Sequence, residues 1–265
     1  MSSNSSSPSL EAVAVPTPPK YSLKRRILMC IALPVWAFFG FMLSQALIVV
    51  LIKLLEKIGV PFDQIADSLF QTIVGAVIYA LTLLIVIGVP WLIKKARTTK
   101  AELGMQRLPT LMDFVWVPSG AIAYLILTAV ITGVAMSYLT FIDYDQAQET
   151  GFTNMGGQAE YLLAFLMLVL IAPIAEELLF RGYLFGKLRK YAPLWISILI
   201  TSVLFALVHF AWNVGLDVFA LSIVLCLLRV VSGSLWPSIM LHMLKNGVAF
   251  YFLFINPSVL STLGG

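Results

Sequence analysis

Seven stretches of this chain are long, apolar and almost free of charge. They cover residues 27–52, 69–93, 114–142, 161–186, 191–212, 214–231 and 234–256. About 20 apolar residues are enough for a helix to cross the hydrocarbon core of a bilayer. Only 11% of the residues are charged, against about 25% in soluble domains. The sequence therefore predicts an all-α polytopic transmembrane helical bundle with about seven spans, six to eight being compatible with the pattern.

Charges in the connecting segments predict the orientation of these spans. Three alternate segments are basic, whereas the segment 143–160 carries four acids and no Lys or Arg; the basic segments are 20–26, 94–107 and 187–190. Because cytoplasmic loops are enriched in Lys and Arg, we expect a cytoplasmic N-terminus and, with seven spans, a C-terminus on the other side. The basic residues thus reflect topology, and the expected partner is the lipid bilayer and not nucleic acid. Short loops favour a prokaryotic plasma membrane.

The pattern divides the chain into three regions. Residues 1–22 are rich in Ser and Pro and predict a disordered N-terminal tail. Residues 23–160 hold the N-terminal transmembrane helices, whose interiors lack ionisable groups. Residues 161–256 hold the C-terminal transmembrane helices, which carry the ionisable groups that lie within spans. Such groups are rare in membranes and indicate a functional site by default.

Two adjacent acids occur in the fourth span, in the stretch APIAEELLFRGYLF. Glu177 and Arg181 are four residues apart, so they can pair on one face of a helix. Glu176 points about 100° away from Glu177 around the helix axis. We expect Arg181 to neutralise Glu177 and to leave Glu176 for another role.

Both histidines of the chain also lie in predicted spans. A turn is expected near residues 190–193, and Glu176 and His209 are about equally far from it along the chain. An antiparallel helix pair would bring these two residues to the same depth. His242 and Asn246 are four apart on the last span and share a face, while Lys245 is expected on another face, reaching towards the membrane surface.

One acid, two histidines and an amide can support peptide hydrolysis by either of two routes. A desolvated glutamate is a competent general base for water, and imidazole and amide N–H groups can stabilise an oxyanion. Alternatively, Glu176, His209 and His242 would form a zinc ligand set with water in the open position. The residues alone leave both routes open, and zinc is a cofactor only in the second.

Three motifs resemble those of a known family. E-E-x-x-x-R, F-x-x-x-H and H-x-x-x-N occur in order on separate spans, and they resemble the motifs of the CAAX protease and bacteriocin-processing family (CPBP or Abi) of intramembrane proteases, which includes the type II CAAX prenyl endopeptidases. The residues that match are Glu176, Glu177, Arg181, Phe205, His209, His242 and Asn246.

The resemblance implies a membrane-embedded endopeptidase acting on membrane-associated peptides or proteins. It implies that Glu176 and His209 activate water, that His242 and Asn246 stabilise the oxyanion, and that the remaining motif residues support the site. Bacterial relatives in this family are tied to peptide processing or bacteriocin immunity. Because the short loops favour a prokaryotic protein, a prenylated substrate is less expected. Two other functions stay open: a proteolytically inactive immunity or scaffold protein, and a proton-coupled transporter. Internal repeats, common in transporters, are not visible in the sequence.

Overall fold

The regular secondary structure of the described residues is entirely helical. The computed structural model describes residues 21–95, 97–144, 146, 150–153 and 155–258, so the predicted tail lies almost wholly outside the described residues. A short 3₁₀ turn covers Phe62–Gln64, and the main part of the described chain consists of eight helices. They are α1 Leu23–Lys57, α2 Asp67–Ile93, α3 Lys100–Leu103, α4 Leu111–Tyr138, α5 Gln158–Leu188, α6 Leu194–Leu207, α7 Trp212–Ser232 and α8 Trp236–Ile255.

Six of these helices are long and apolar enough to cross a membrane. They match six of the seven predicted spans, and they confirm the polytopic helical bundle. The predicted span 191–212 is wrong in its length, because α6 has only 14 residues. At a rise of about 1.5 Å per residue it is roughly 21 Å long, shorter than a hydrocarbon core of about 30 Å.

Helix α6 ends early because its last turn is capped by a side chain. The ring Nδ1 of His209 lies 2.7 Å from the carbonyl oxygen of Phe205, one of the carbonyls that a helix end leaves unpaired. The next residue, Phe210, has a left-handed backbone with φ 52°, which a helix cannot continue. His209 therefore sits just beyond the end of a helix, where the sequence predicted it inside one.

Helices α5 and α7 form the centre of the bundle. In their most apolar windows, 44% of the α5 residues and 50% of the α7 residues are buried, against 6% in α4, which lies at the periphery. The largest core cluster joins α5 to α1, α2 and α6, with Leu184, Val86 and Phe205 fully buried. The helix with the paired acids is thus held on several sides.

The turn that carries Glu176 and Glu177 lies between two widened stretches of α5. Residues Leu166–Ile171 and Leu178–Phe185 are π-helical, and only Ala172–Glu177 between them is α-helical. Pro173 lacks the N–H that a regular helix would use at this point. Widened turns of this kind occur frequently at functional sites.

A short segment ties down the end of α5 that follows the site. We call residues 99–107, between α2 and α4, the clasp. The carboxylate of Glu102 accepts hydrogen bonds from Lys190 and, at 3.0 Å, from the Nζ atom of Lys187. Gly186 approaches so closely that an added Cβ would lie 2.9 Å from the Glu102 carbonyl oxygen. The clasp therefore packs on the backbone of α5 itself.

The clasp also holds the first turn of α8. The N–H of Leu235 donates to the Gly104 carbonyl at 2.9 Å, and the Trp236 indole donates to the Arg107 carbonyl at 2.8 Å. Gly104 has φ +78°, a backbone conformation that favours glycine. Together with a hydrogen bond from Arg26 to the carbonyl of Tyr191, these contacts bring the predicted basic segments to one face of the bundle, called the basic face below.

A methyl group at Gly186 tests the packing of the clasp. Gly186→Ala forces the Glu102 backbone to move, so we expect a loss of about 1–3 kcal/mol in stability. The matched control is Gly133→Ala within α4, where nothing lies within 4 Å of the added Cβ; there we expect a gain of about 0.5–1 kcal/mol. Thermal unfolding in detergent measures both, and equal effects would contradict the close contact.

The clasp also makes the stability of the fold depend on pH, through Glu102. Partial burial raises the pKa of Glu102, but hydrogen bonds from Lys190, Lys187 and the Thr99 backbone outweigh it and lower the pKa from 4.5 to about 2. Because this pKa is lower in the folded chain, its stabilisation is complete above pH 4.5 and is lost as the pH falls towards 2. The melting temperature should therefore decrease as the pH is lowered from 4.5 to about 2. Glu102→Gln should flatten the slope, and an unchanged slope would refute the assignment.

Candidate functional site

The fully buried Glu177 carboxylate connects two helices. Its Oε1 atom accepts from Nη1 of Arg181 at 2.6 Å and lies 2.9 Å from Nδ1 of His242 on α8. The side chains of Glu177 and Arg181 are both 0% exposed, which confirms the predicted pair. Because a carboxylate only accepts hydrogen bonds, Nδ1 of His242 carries the proton, and its Nε2 is the nitrogen left for the site.

The ring of Phe205 joins the three motifs in space. The Arg181 guanidinium carbon lies 4.2 Å from the centre of this ring, a cation–π distance. The rings of His209 and His242 meet it edge to face, with centroids 5.0 Å and 5.8 Å away. Phe205 is 0% exposed. It thus fixes how far the two histidines stand from α5.

Glu176 faces a different set of groups from Glu177. Its Oε1 atom accepts a hydrogen bond from the hydroxyl of Tyr79 on α2. Its Oε2 atom lies 3.7 Å from Nε2 of His242, which is too long for a direct hydrogen bond and is a separation at which a water can bridge two polar groups. The two acids are therefore not equivalent, as the sequence predicted.

His209 lies near these groups without a direct bond to Glu176 in the described structure. Its Nδ1 donates to a backbone carbonyl, so Nε2 is the free nitrogen. Its ring packs on Phe205, as does the ring of His242, whose free nitrogen faces Glu176. The structure thus brings His209 close to Glu176, as predicted. However, His209 lies just beyond the end of α6, whereas the sequence predicted it inside that helix.

Asn246 lies one helical turn beyond His242. Its Nδ2 donates to the carbonyl of Leu168 on α5 at 2.9 Å. An amide nitrogen has two hydrogens, so one remains for another acceptor. Asn246 therefore links α8 to α5 close to the site, and no hydrogen bond between Asn246 and Glu176 is found among the described residues.

A second polar cluster forms around Lys245, three residues after His242 on α8, and was not predicted. Lys245 Nζ pairs with Oδ2 of Asp217 on α7 at 3.2 Å, and Oδ1 accepts from Tyr124 at 2.5 Å and Thr128 at 3.0 Å on α4. The side chain of Lys245 is only 15% exposed. The expectation that Lys245 reaches towards the membrane surface is therefore wrong, because Asp217 holds it inside the bundle.

The three candidate metal ligands do not form a ligand set. Within the described residues, no three His, Cys, Asp or Glu side chains come together in a way that could hold a metal ion. The Nδ1 atom of each histidine bonds a protein group and leaves Nε2 free, while Oε1 of Glu176 accepts from Tyr79. In the described part of the chain these three residues are therefore neighbours without forming a ligand cluster, and no step below uses a metal.

Sequence reasoning missed Tyr79 as a partner of Glu176. The residue lies in the second apolar span, whose interior has no ionisable side chain besides this phenol. A tyrosine in a span carries a hydroxyl that must find a partner, which was the available signal. The residue spacing could not say which of the other helices would supply that partner.

Residues 158–248 match the family described as type II CAAX prenyl endopeptidase Rce1-like. This region contains all seven motif residues and covers α5 to most of α8. The UPF0177 protein YxdF of Lactococcus lactis is 32% identical over 134 residues, which cover 70% of that protein and 50% of this chain. No solved structure is significantly similar to the chain.

Two further relatives match over shorter regions. The membrane-embedded CAAX protease MroQ of Staphylococcus aureus is 30% identical over 97 residues, 39% of its length and 34% of this chain. An uncharacterized 24.3 kDa protein of Escherichia coli is 33% identical over 98 residues, 45% of its length. These matches and the three motifs on converging helices establish that this integral membrane protein belongs to the CAAX protease and bacteriocin-processing family.

Proposed function

We propose that the protein is an intramembrane endopeptidase that hydrolyses peptide bonds of membrane-associated peptides or proteins. The observation that carries the proposal is the pairing of two adjacent acids with different partners. Glu177 is neutralised by Arg181 and bonded to His242, whereas Glu176 faces Tyr79 and the free nitrogen of His242. A carboxylate with one oxygen held by Tyr79 and the other left for water, beside two imidazoles, suits general-base chemistry.

Glu176 acts as the general base in the proposed reaction. It takes a proton from a water molecule, and the water oxygen attacks the carbonyl carbon of the scissile bond. Glu176 then passes the proton to the leaving nitrogen, and the C–N bond breaks to give a carboxylic acid and an amine. The Tyr79 hydroxyl holds one carboxylate oxygen, so that the other faces the water.

One histidine and an amide stabilise the oxyanion that forms during this attack. His242 donates from Nε2–H as an imidazolium, because its Nδ1–H is bound to Glu177 and a neutral ring has only one N–H. His209 donates from Nδ1 to the Phe205 carbonyl, so its Nε2 accepts from the attacking water and helps Glu176 to activate it. Asn246 keeps one N–H beyond the one bound to Leu168. Donors held in advance by protein partners need no reorganisation during the reaction, which is the usual source of such stabilisation.

The proposed substrates are peptides that reach the bilayer, with no requirement for a prenyl group. The site lies on spanning helices, and among the described residues no large soluble domain stands beside them. The named relative MroQ is a membrane-embedded CAAX protease, which supports proteolysis for this chain. The test compares the cleavage rates of a prenylated and an unprenylated form of one candidate peptide. We expect the unprenylated form to be cleaved as well.

Removal of the Tyr79 hydroxyl tests the role of Glu176 without changing an ionisable motif residue. A hydrogen bond to a charged group contributes about 1.5–3 kcal/mol, so Tyr79→Phe should slow cleavage by roughly 10- to 100-fold. The assay uses purified protein in detergent and membrane-associated peptides. Tyr138→Phe is the control, because Tyr138 is 80% exposed at the end of α4. Equal rates for both variants would argue against a Tyr79–Glu176 unit.

Chelation decides the metal question in the same assay. We expect full cleavage after exhaustive treatment with a chelator and verified removal of bound metal. Loss of cleavage, restored by added zinc, would mean that a metal is required and that the roles given above are wrong. A folded protein that cleaves no peptide under either condition would favour the inactive immunity or scaffold function.

A further inference from the structure

A small cavity lies next to the site, on the side away from the clasp. Its volume is about 50 Å³, and it is lined by Leu168 of α5 and by one face of α8 from Lys245 and Asn246 to Ala249 and Leu253, with Thr150, Phe250 and Phe254 completing its wall. A cavity needs roughly 10–15 Å³ and two to four polar partners to hold a water molecule. This one is large enough for several.

Two polar side chains are among the residues that line this cavity. They are Lys245, whose ammonium group pairs with Asp217, and Asn246, which carries an amide. The carbonyl of Leu168 lies at the same place, since it accepts from Asn246. By contrast, a neighbouring groove of about 730 Å³ on the other side of α8 is lined by apolar residues such as Val248 and Met243.

The position of the cavity assigns it to one face of the membrane. Helix α4 begins beside the clasp and ends at Tyr138, so the following segment with Thr150 lies at the opposite face. Asn246 is ten residues into α8, about 15 Å from the basic face. The cavity extends from there away from the basic face, towards the end of α8.

The clasp closes the other approach to the site. It contacts α5 through Gly186 and α8 through Leu235 and Trp236. Leu103 of the clasp also packs against Gly182, where an added Cβ would lie 3.2 Å from the leucine side chain. Direct contacts thus fill the space between α5 and α8 at the basic face.

We propose that this cavity is the water route of the enzyme, and that hydrolytic water reaches Glu176 from the face opposite the basic segments, past Lys245 and Asn246. The inference rests on the proposed function, because only a hydrolase needs water at Glu176. Lys245 keeps the route polar, and Asp217 holds the lysine in place. The apolar groove beside Val248 faces lipid and stays dry.

Silver ions test this route. The ion is close to water in size, does not cross a bilayer, and reacts with thiolates, which form where water is present. Single cysteines are placed at Ala249 and Leu253 in a chain carrying Cys30→Ser and Cys226→Ala. Silver is added to one face of sealed vesicles of either orientation and then quenched. Remaining thiols are labelled with a maleimide in denaturing detergent.

Two further positions serve as controls. Val248→Cys is next in the chain to Ala249 but lies in the apolar groove, and Arg97→Cys is exposed near the clasp at the basic face. We expect loss of maleimide labelling at Ala249→Cys and Leu253→Cys when silver is added to the face opposite Arg97. We expect no loss at Val248→Cys from either face.

Three results would overturn the route. The first is loss of labelling at Ala249→Cys when silver is added to the face that carries Arg97. The second is labelling that silver lowers from neither face at both cavity positions. The third is an equal loss of labelling at Val248→Cys. Labelling without silver shows that each thiol is present, and Leu253→Cys covers the case in which Ala249→Cys fails to fold. The assay needs no cleavage, so its failure is distinct from a failure of the proposed proteolysis.

Discussion

Replacement of Glu176 by Gln should reduce peptide cleavage by about 10²–10⁴-fold, the usual contribution of a general base. The amide can still accept the hydrogen bond from Tyr79, but it cannot take a proton from water. Because Gln has nearly the same shape, the packing of α5 should be unchanged. The measurement is the cleavage rate of a membrane-associated peptide by purified protein in detergent.

The control for this variant is Glu56→Gln. Glu56 is exposed at the end of α1, so the same chemical change there should leave the rate unaltered. A Glu176→Gln protein that cleaves as fast as the unaltered chain would remove Glu176 as the base. Loss of cleavage together with a lowered melting temperature would point to misfolding, so unfolding is recorded for each variant.

Replacement of Arg181 by Met should have the largest effect on stability. Glu177 and Arg181 are both fully buried, and the guanidinium also lies over the ring of Phe205. Removing one partner leaves an uncompensated buried charge, which costs about 3–5 kcal/mol. Thermal and denaturant unfolding in detergent measure the loss. Arg97→Met, at an exposed position, is the control and should change little.

A double variant separates the charge from the packing. Adding Glu177→Gln to Arg181→Met removes the stranded charge, and the amide oxygen can still accept from Nδ1 of His242. We therefore expect the double variant to be more stable than Arg181→Met alone. If it is less stable, with the two losses simply adding, then the pair does not act as a unit and the cost lies in packing against Phe205.

The sequence predicted the helices well because each span must satisfy its own backbone inside the bilayer. The length of an apolar run then sets the length of a helix, as for α5 and α7. The rule failed at α6, because a polar side chain changed the local structure. His209 caps the helix that the apolar pattern would have continued past it.

Part of the site was predictable from spacing along one helix. Glu177 and Arg181 pair because they are four residues apart and share a helix face. Glu176 is one residue before Glu177 and therefore points in another direction. Contacts between helices were harder, because periodicity does not say which helices are neighbours. The bond from Tyr79 to Glu176 and the pair formed by Lys245 and Asp217 therefore emerged only from the fold. The catalytic roles remain predictions.

The most direct test of the central claim is the fate of a water oxygen. Purified protein is incubated with a membrane-associated peptide in water enriched in heavy oxygen, and the fragments are analysed by mass spectrometry after a single round of cleavage. We predict one heavy oxygen in the new carboxyl group of the N-terminal fragment, formed by the unaltered chain and not by Glu176→Gln. Intact peptide after prolonged incubation with the folded, unaltered protein, or equal cleavage by Glu176→Gln, would contradict the account.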